Sequence, residues 1–96
     1  PSVNTVADGL AAPFAGERNL EIIKRDVDDV VVISDAAIID GLQFLVARAR
    51  IVAEPAGAAA VGALLDGAAR ARPGERVVAI VSGGNIDPER LAGFIA

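Results

Sequence analysis

Two apolar runs constrain this chain more than any other feature: DDVVVIS at Asp28 to Ser34 and RVVAIVS at Arg76 to Ser82. Each is dominated by β-branched residues, lacks polar alternation and is closed by a serine, the pattern of a strand buried on both faces. A long stretch of helical spacing separates them. Parallel strands need such crossovers, whereas antiparallel strands can be joined by a tight turn, so the order predicts an α/β fold with parallel strands flanked by helices. Two strands alone make no stable sheet. The remaining strands are expected from the rest of a larger protein.

The segments between the runs follow helical rules. ERNLEIIK, Glu17 to Lys24, places Leu20 and Ile23 on one side of a short amphipathic helix. Ser34 or Asp35 is expected to cap a helix reaching about Arg50, with Ile38, Leu42, Leu45 and Ala49 as its apolar stripe and Asp40, Arg48 and Arg50 outward. A further helix begins at EPAG, with Glu54 as cap, Pro55 in the first position and Gly67 as terminator. Pro73 and Gly74 form a turn into the second run, and Asp87 with Pro88 opens a last short helix. Residues 1–16 read as loop, broken by Asp8-Gly9, Pro13 and Gly16. An opening at Pro1 rather than Met, and the polar start from Ser2 to Asp8, are expected of a chain that begins inside a larger protein.

Composition narrows the chemistry. The chain has 96 residues, enough for one small domain, and is 53% hydrophobic but only 3% aromatic. A free-standing domain of this size normally buries several large rings, so the composition also suggests a piece of something larger. Cys and His are both absent. Disulfides, thiolate nucleophiles, zinc sites and His-based triads are therefore excluded from these residues, leaving carboxylates, hydroxyls, one lysine and backbone amides. The net charge of −4, with no basic run, suggests neither nucleic acid nor an anionic membrane surface. No apolar run is long enough to span a bilayer, and the expected setting is cytoplasmic. Lys24 reads as a solvated surface lysine, and Asp28 and Asp29 as part of a solvated loop.

The second run ends in SGGN, Ser82 to Asn85. In open α/β sheets ligands collect beyond the carboxyl ends of strands, and two glycines there let a flat or anionic group come close to the backbone. Taken alone, Ser-Gly-Gly reads as an ordinary turn, Asp8-Gly9 as a loop and Glu54 as a helix cap at the rim of a buried region.

Together, TVADGLA (Thr5 to Ala11), VDDVVVISDAAI (Val27 to Ile38), IVAEPAGAAAVGALL (Ile51 to Leu65) and VVAIVSGGNID (Val77 to Asp87) resemble the carboxy-terminal third of the threonine dehydratase and serine racemase group of pyridoxal-phosphate enzymes. The resemblance covers nearly the whole chain and rests on four motifs in order. It implies the tryptophan-synthase-β-like fold, two α/β domains with pyridoxal 5′-phosphate between them, residues 1–96 supplying the carboxy-terminal segment of the larger one. Ser82 matches the family serine whose hydroxyl bonds the pyridine nitrogen, with Gly83 and Gly84 small so that the ring edge can approach. Gly9 and Glu54 would approach the cofactor from the side of its ring hydroxyl, and Asn85 follows the glycines and orders the loop.

The implied activity is dehydration and deamination of L-threonine or L-serine to 2-oxobutanoate or pyruvate and ammonia, in amino acid metabolism such as isoleucine biosynthesis, by a homo-oligomer. The Schiff-base lysine, the phosphate cup, the substrate-carboxylate loop and the family's metal acids belong upstream, and Lys24 does not match that lysine. The chain is thus expected to need the remainder of the same enzyme and to be inactive alone. Ala96 precedes any effector-binding domain of the biosynthetic dehydratases. Serine racemase and threonine synthase are the near alternatives, and a non-catalytic α/β ligand-binding module is the distant one.

Overall fold

The computed structural model describes residues 4–12 and 14–95. Pro13, expected as a breaker, and Ser2 and Val3 of the polar opening lie outside the described residues. A 3-10 turn, Asp8–Leu10, precedes helix α1, Glu17–Asp26. Helix α2, Asp35–Phe44, continues into a π-helical turn, Leu45–Ala49. A second 3-10 turn, Ala56–Ala58, runs into α3, Ala59–Asp66, and α4 spans Pro88–Ile95.

The expected caps are present wherever a short polar side chain stands at the helix start. Ser34 Oγ accepts the Ala37 amide at 3.1 Å, satisfying one of the orphan N–H groups of α2. Asp87 Oδ1 accepts the Glu89 amide at 2.9 Å at the start of α4. Gly67 ends α3 with φ 83°, the left-handed conformation that glycine adopts without steric cost. The turn at Pro73 and Gly74 closes through Glu75 N–H to Arg72 O at 3.0 Å, with Gly74 at φ 86°.

Helical backbone continues from α2 through the π-helical turn to Ala49, close to the end expected near Arg50, and Ile38, Leu42 and Leu45 of the stripe are buried while Ala49 is exposed. Its end is less regular. Arg50 takes φ 58°, and the Ile51 amide returns to Leu45 O at 3.0 Å. The core gathers Leu42, Leu45, Ala53 and Ala58, with Val61, Val81, Ile86, Leu91 and Phe94 packed against them. Helices α2 and α3 cross at their glycines. A Cβ on Gly41 would stand 2.6 Å from the Gly62 nitrogen, so backbone packs on backbone where most helix pairs interpose side chains.

Two expectations are corrected. The runs 28–34 and 76–82 are extended, but neither pairs into a strand among the described residues, and no backbone hydrogen bond joins them. They are also not buried on both faces: Val32 is 92% and Val78 89% exposed. An extended run becomes a strand only when a neighbour takes its N–H and C=O groups, and here no neighbour is present. Helix α1 forms as expected over the ERNLEIIK segment, and its Leu20, Ile22 and Ile23 are exposed. Finally, Glu54 does not cap. Its carbonyl accepts the Ala58 amide at 3.1 Å, but its carboxylate accepts no amide of the 3-10 turn. Its long side chain is poorly suited to the reach that Ser or Asp makes, and the first turn is occupied by Pro55, which has no N–H to offer.

The first run nevertheless encloses something. Val30 to Ile33, together with Ala7, Leu10, Ile38 and the alanines of α3, line an apolar hollow of about 610 Å³.

Candidate functional site

The site is built around the Asp8–Leu10 turn, Glu54 and the end of the second run. The turn is tied from behind by Asp35, the first residue of α2. Its carboxylate accepts the Thr5 hydroxyl and, at 3.1 Å, the Val6 amide. Thr5 Oγ1 in turn accepts the Ala7 amide at 3.2 Å, and Ala7 is 1% exposed. Asp35 thus links helix α2 to a loop thirty residues earlier, a role beyond the capping its sequence position suggests.

Glu54 and Gly83 are joined through the backbone, with Glu54 N–H donating to Gly83 O at 3.0 Å. Neither Gly83 nor Gly84 has positive φ. They are glycines because the chain itself lies against them. A Cβ on Gly83 would be 2.7 Å from Glu54 Oε1, and one on Gly84 would be 2.8 Å from Val52 O. From the other side, a Cβ on Gly9 would stand 3.0 Å from the Ala56 Cβ and 3.7 Å from Glu54 Oε1. The Glu54 carboxylate therefore sits between two positions that carry no side chain.

These residues open onto a cleft of about 180 Å³, lined by Val6, Asp8, Gly9, Glu54, Pro55, Ala56, Asn85 and Arg90. Of the five site residues expected from the sequence, Gly9, Glu54 and Asn85 share this lining, and Gly83 abuts Glu54. Ser82 is not in the lining. It is exposed, one residue before Gly83, at the end of the extended run.

Sequence reasoning missed Asp8 and Arg90. Arg90 Nη1 pairs with Asp8 Oδ2 at 3.1 Å, and Nη2 donates to Val6 O at 2.8 Å. The guanidinium also lies 5.5 Å from the centre of the Phe94 ring, within cation–π range. The pair spans 82 positions, and no local pattern announces it. Elsewhere, Lys24 stands on exposed α1 and the Asp29 carboxylate accepts its neighbour's amide, Val30, at 2.8 Å. No group of three or more metal-ligating side chains occurs among the described residues.

The profile of the pyridoxal-phosphate dependent enzymes matches residues 1–83. The chain belongs to that family. Its cofactor is accordingly pyridoxal phosphate. Among its relatives, a catabolic L-threonine dehydratase of Staphylococcus aureus is 39% identical over 94 residues, covering 96% of this chain. A serine racemase of Schizosaccharomyces pombe is 42% identical over 96 residues and also covers 96%. An L-threo-3-hydroxyaspartate ammonia-lyase of a Pseudomonas species is 35% identical over 91 residues, covering 95%. The chain spans only 27 to 28% of the length of these three relatives. Membership of the pyridoxal-phosphate family does not favour the non-catalytic module, and the relatives carry different names, a dehydratase, a racemase and an ammonia-lyase. No helix among the described residues is long and apolar enough to cross a membrane.

Proposed function

We propose that residues 1–96 are the carboxy-terminal segment of the cofactor-binding domain of a threonine dehydratase, converting L-threonine (or L-serine) to 2-oxobutanoate (or pyruvate) and ammonia. The observation that carries this reading is the convergence of Gly9, Glu54 and Asn85 on one cleft, with Gly83 against Glu54. The whole enzyme would have the α/β tryptophan-synthase-β-like architecture. Neighbouring strands would then cover the exposed faces of Val30 to Val32 and Val77 to Ile80, a burial their composition demands. The remainder of the enzyme, the amino acid substrate and a homo-oligomeric assembly belong to the same proposal.

The residues fit the cofactor. The lack of a side chain at Gly9 and Gly83 lets the Glu54 carboxylate lie between them, and Ser82, the residue before Gly83, is exposed. Bound there, pyridoxal phosphate supplies an electron sink for the substrate's α-carbon. Ser82 Oγ–H would donate to the ring nitrogen, and Glu54 and Gly9 would lie toward the ring hydroxyl. Unlike a carboxylate, the serine hydroxyl carries no charge to hold a proton on that nitrogen. Weaker electron withdrawal suits loss of a β-hydroxyl over transamination.

The test is to express the complete open reading frame, add cofactor and assay both 2-oxobutanoate from L-threonine and D-serine from L-serine. Formation of 2-oxobutanoate is expected; D-serine without it would make the enzyme a racemase and overturn the dehydratase reading. Ser82→Asp is expected to raise transamination relative to elimination. An unchanged ratio would remove the ring-nitrogen contact.

A further inference from the structure

We propose that Arg90 is a positioning residue for the cofactor cleft, holding the Asp8–Leu10 turn against Glu54 from helix α4; this rests on the reading of the cleft given above. The turn carrying Gly9 has two ties. Behind it, Asp35 takes the Thr5 hydroxyl and the Val6 amide. In front, the two arms of one guanidinium take the Asp8 carboxylate and the Val6 carbonyl. Val6 is thus gripped through both its N–H and its C=O, by side chains from different helices. Gly9 follows three residues later, with no side chain of its own to anchor it.

The same guanidinium joins the two walls of the cleft. Arg90 stands on the helix that follows Asn85, whereas Asp8 and Gly9 come from the far end of the chain, and all four line the cavity. It is also the cation among lining residues that include two carboxylates, Asp8 and Glu54. Without it, Asp8 would lose its counter-charge on the same cleft as Glu54, and like charges in one cleft repel.

Helix α4 does not depend on this contact for its place. Leu91 and Phe94 pack on the core, and Gln43 Nε2 donates to Phe94 O at 2.6 Å. Loss of Arg90 should therefore move the turn rather than unfold the helix. The Arg90 side chain is 41% exposed, so the effect is that of a partly screened pair, measured in single-digit factors.

The experiment uses the complete enzyme as wild type, Arg90→Ala, Arg90→Lys, Asp8→Asn and the Arg90→Ala/Asp8→Asn double variant. Pyridoxal phosphate affinity is read by fluorescence quenching, and apoenzyme melting temperature is measured alongside. Arg90→Ala is expected to weaken cofactor binding about five-fold, the scale of a partly exposed charged pair, with little change in the apoenzyme melting temperature. Arg90→Lys should recover only part of the loss, because a single ammonium cannot serve carboxylate and carbonyl with a planar fork. In the Asp8→Asn background the Arg90→Ala penalty should shrink.

Wild-type affinity in Arg90→Ala, or a penalty of equal size in both backgrounds, would overturn the positioning role. So would full recovery by lysine. A wild-type enzyme that bound no pyridoxal phosphate would instead overturn the cofactor reading of the cleft, and the proposal with it.

Discussion

Gly83→Ala separates the functional demand at the SGGN turn from the structural one. The backbone at Gly83 is outside the left-handed region, so alanine meets no conformational penalty there. Its methyl would stand 2.7 Å from Glu54 Oε1, 3.0 Å from Cδ and 3.4 Å from Cγ. The carboxylate must retreat by about 0.7 Å to reach ordinary contact, and a side chain pushed off its rotamer costs about 0.5–1.5 kcal/mol. The Glu54 N–H to Gly83 O bond can survive, since only the far end of a flexible side chain moves. Stability should fall by about 1 kcal/mol. Activity should fall much further, because misplacing a group by about 1 Å can cost about 100-fold in rate.

Gly57→Ala is the contrasting case. Its methyl would meet the backbone of Gly83, 2.9 Å from the nitrogen and 3.2 Å from the carbonyl carbon, with no flexible end to give way. Overpacking of this kind costs about 1–3 kcal/mol, so this variant should lose more stability than Gly83→Ala. The assays are denaturation midpoints and L-threonine turnover in the complete enzyme. The reasoning is refuted if Gly83→Ala keeps turnover within about two-fold of wild type, a factor far below that expected of a displaced group. It is equally refuted if the two variants lose the same stability.

Two further outcomes concern the frame around the cleft. Ser34→Ala removes the acceptor for the Ala37 amide and should destabilise the enzyme by about 1 kcal/mol in chemical denaturation, with Ser34→Asp restoring most of it. Arg50→Gly relieves a non-glycine residue at φ 58°, a conformation costing an L side chain about 1–2 kcal/mol. After glycine's greater loss of chain entropy the variant should gain about 0.5 kcal/mol, and a lower denaturation midpoint would show that the arginine side chain contributes there.

Helix positions were legible in the sequence wherever a local device marked them. Ser34, Gly67 and the Asp87-Pro88 pair do in the structure what their types predict, because capping acts between residues only a few positions apart. Glu54 shows the limit of such reading. Its place before Pro55 looks like a cap, and only the approach of Gly9 and Gly83 from distant parts of the chain turns its carboxylate into a cleft residue. Arg90 shows it again, since nothing near Arg90 in sequence points to Asp8 or Val6.

The amino-acid sequence alone determined where helices lie, the ends marked by Ser34, Gly67 and Asp87, the absence of thiol and imidazole chemistry, and four motifs sufficient to suggest the family. Those properties are local or compositional, so the chain need not fold for them to be read. Tertiary structure alone decided which small residues were small for the chain's own sake, which carboxylate faces the cleft, and that the two β-branched runs find no partner among the described residues. The physical reason is the same in each case: close approach and hydrogen-bond pairing depend on what lies opposite in space, and spacing along the chain carries no record of that.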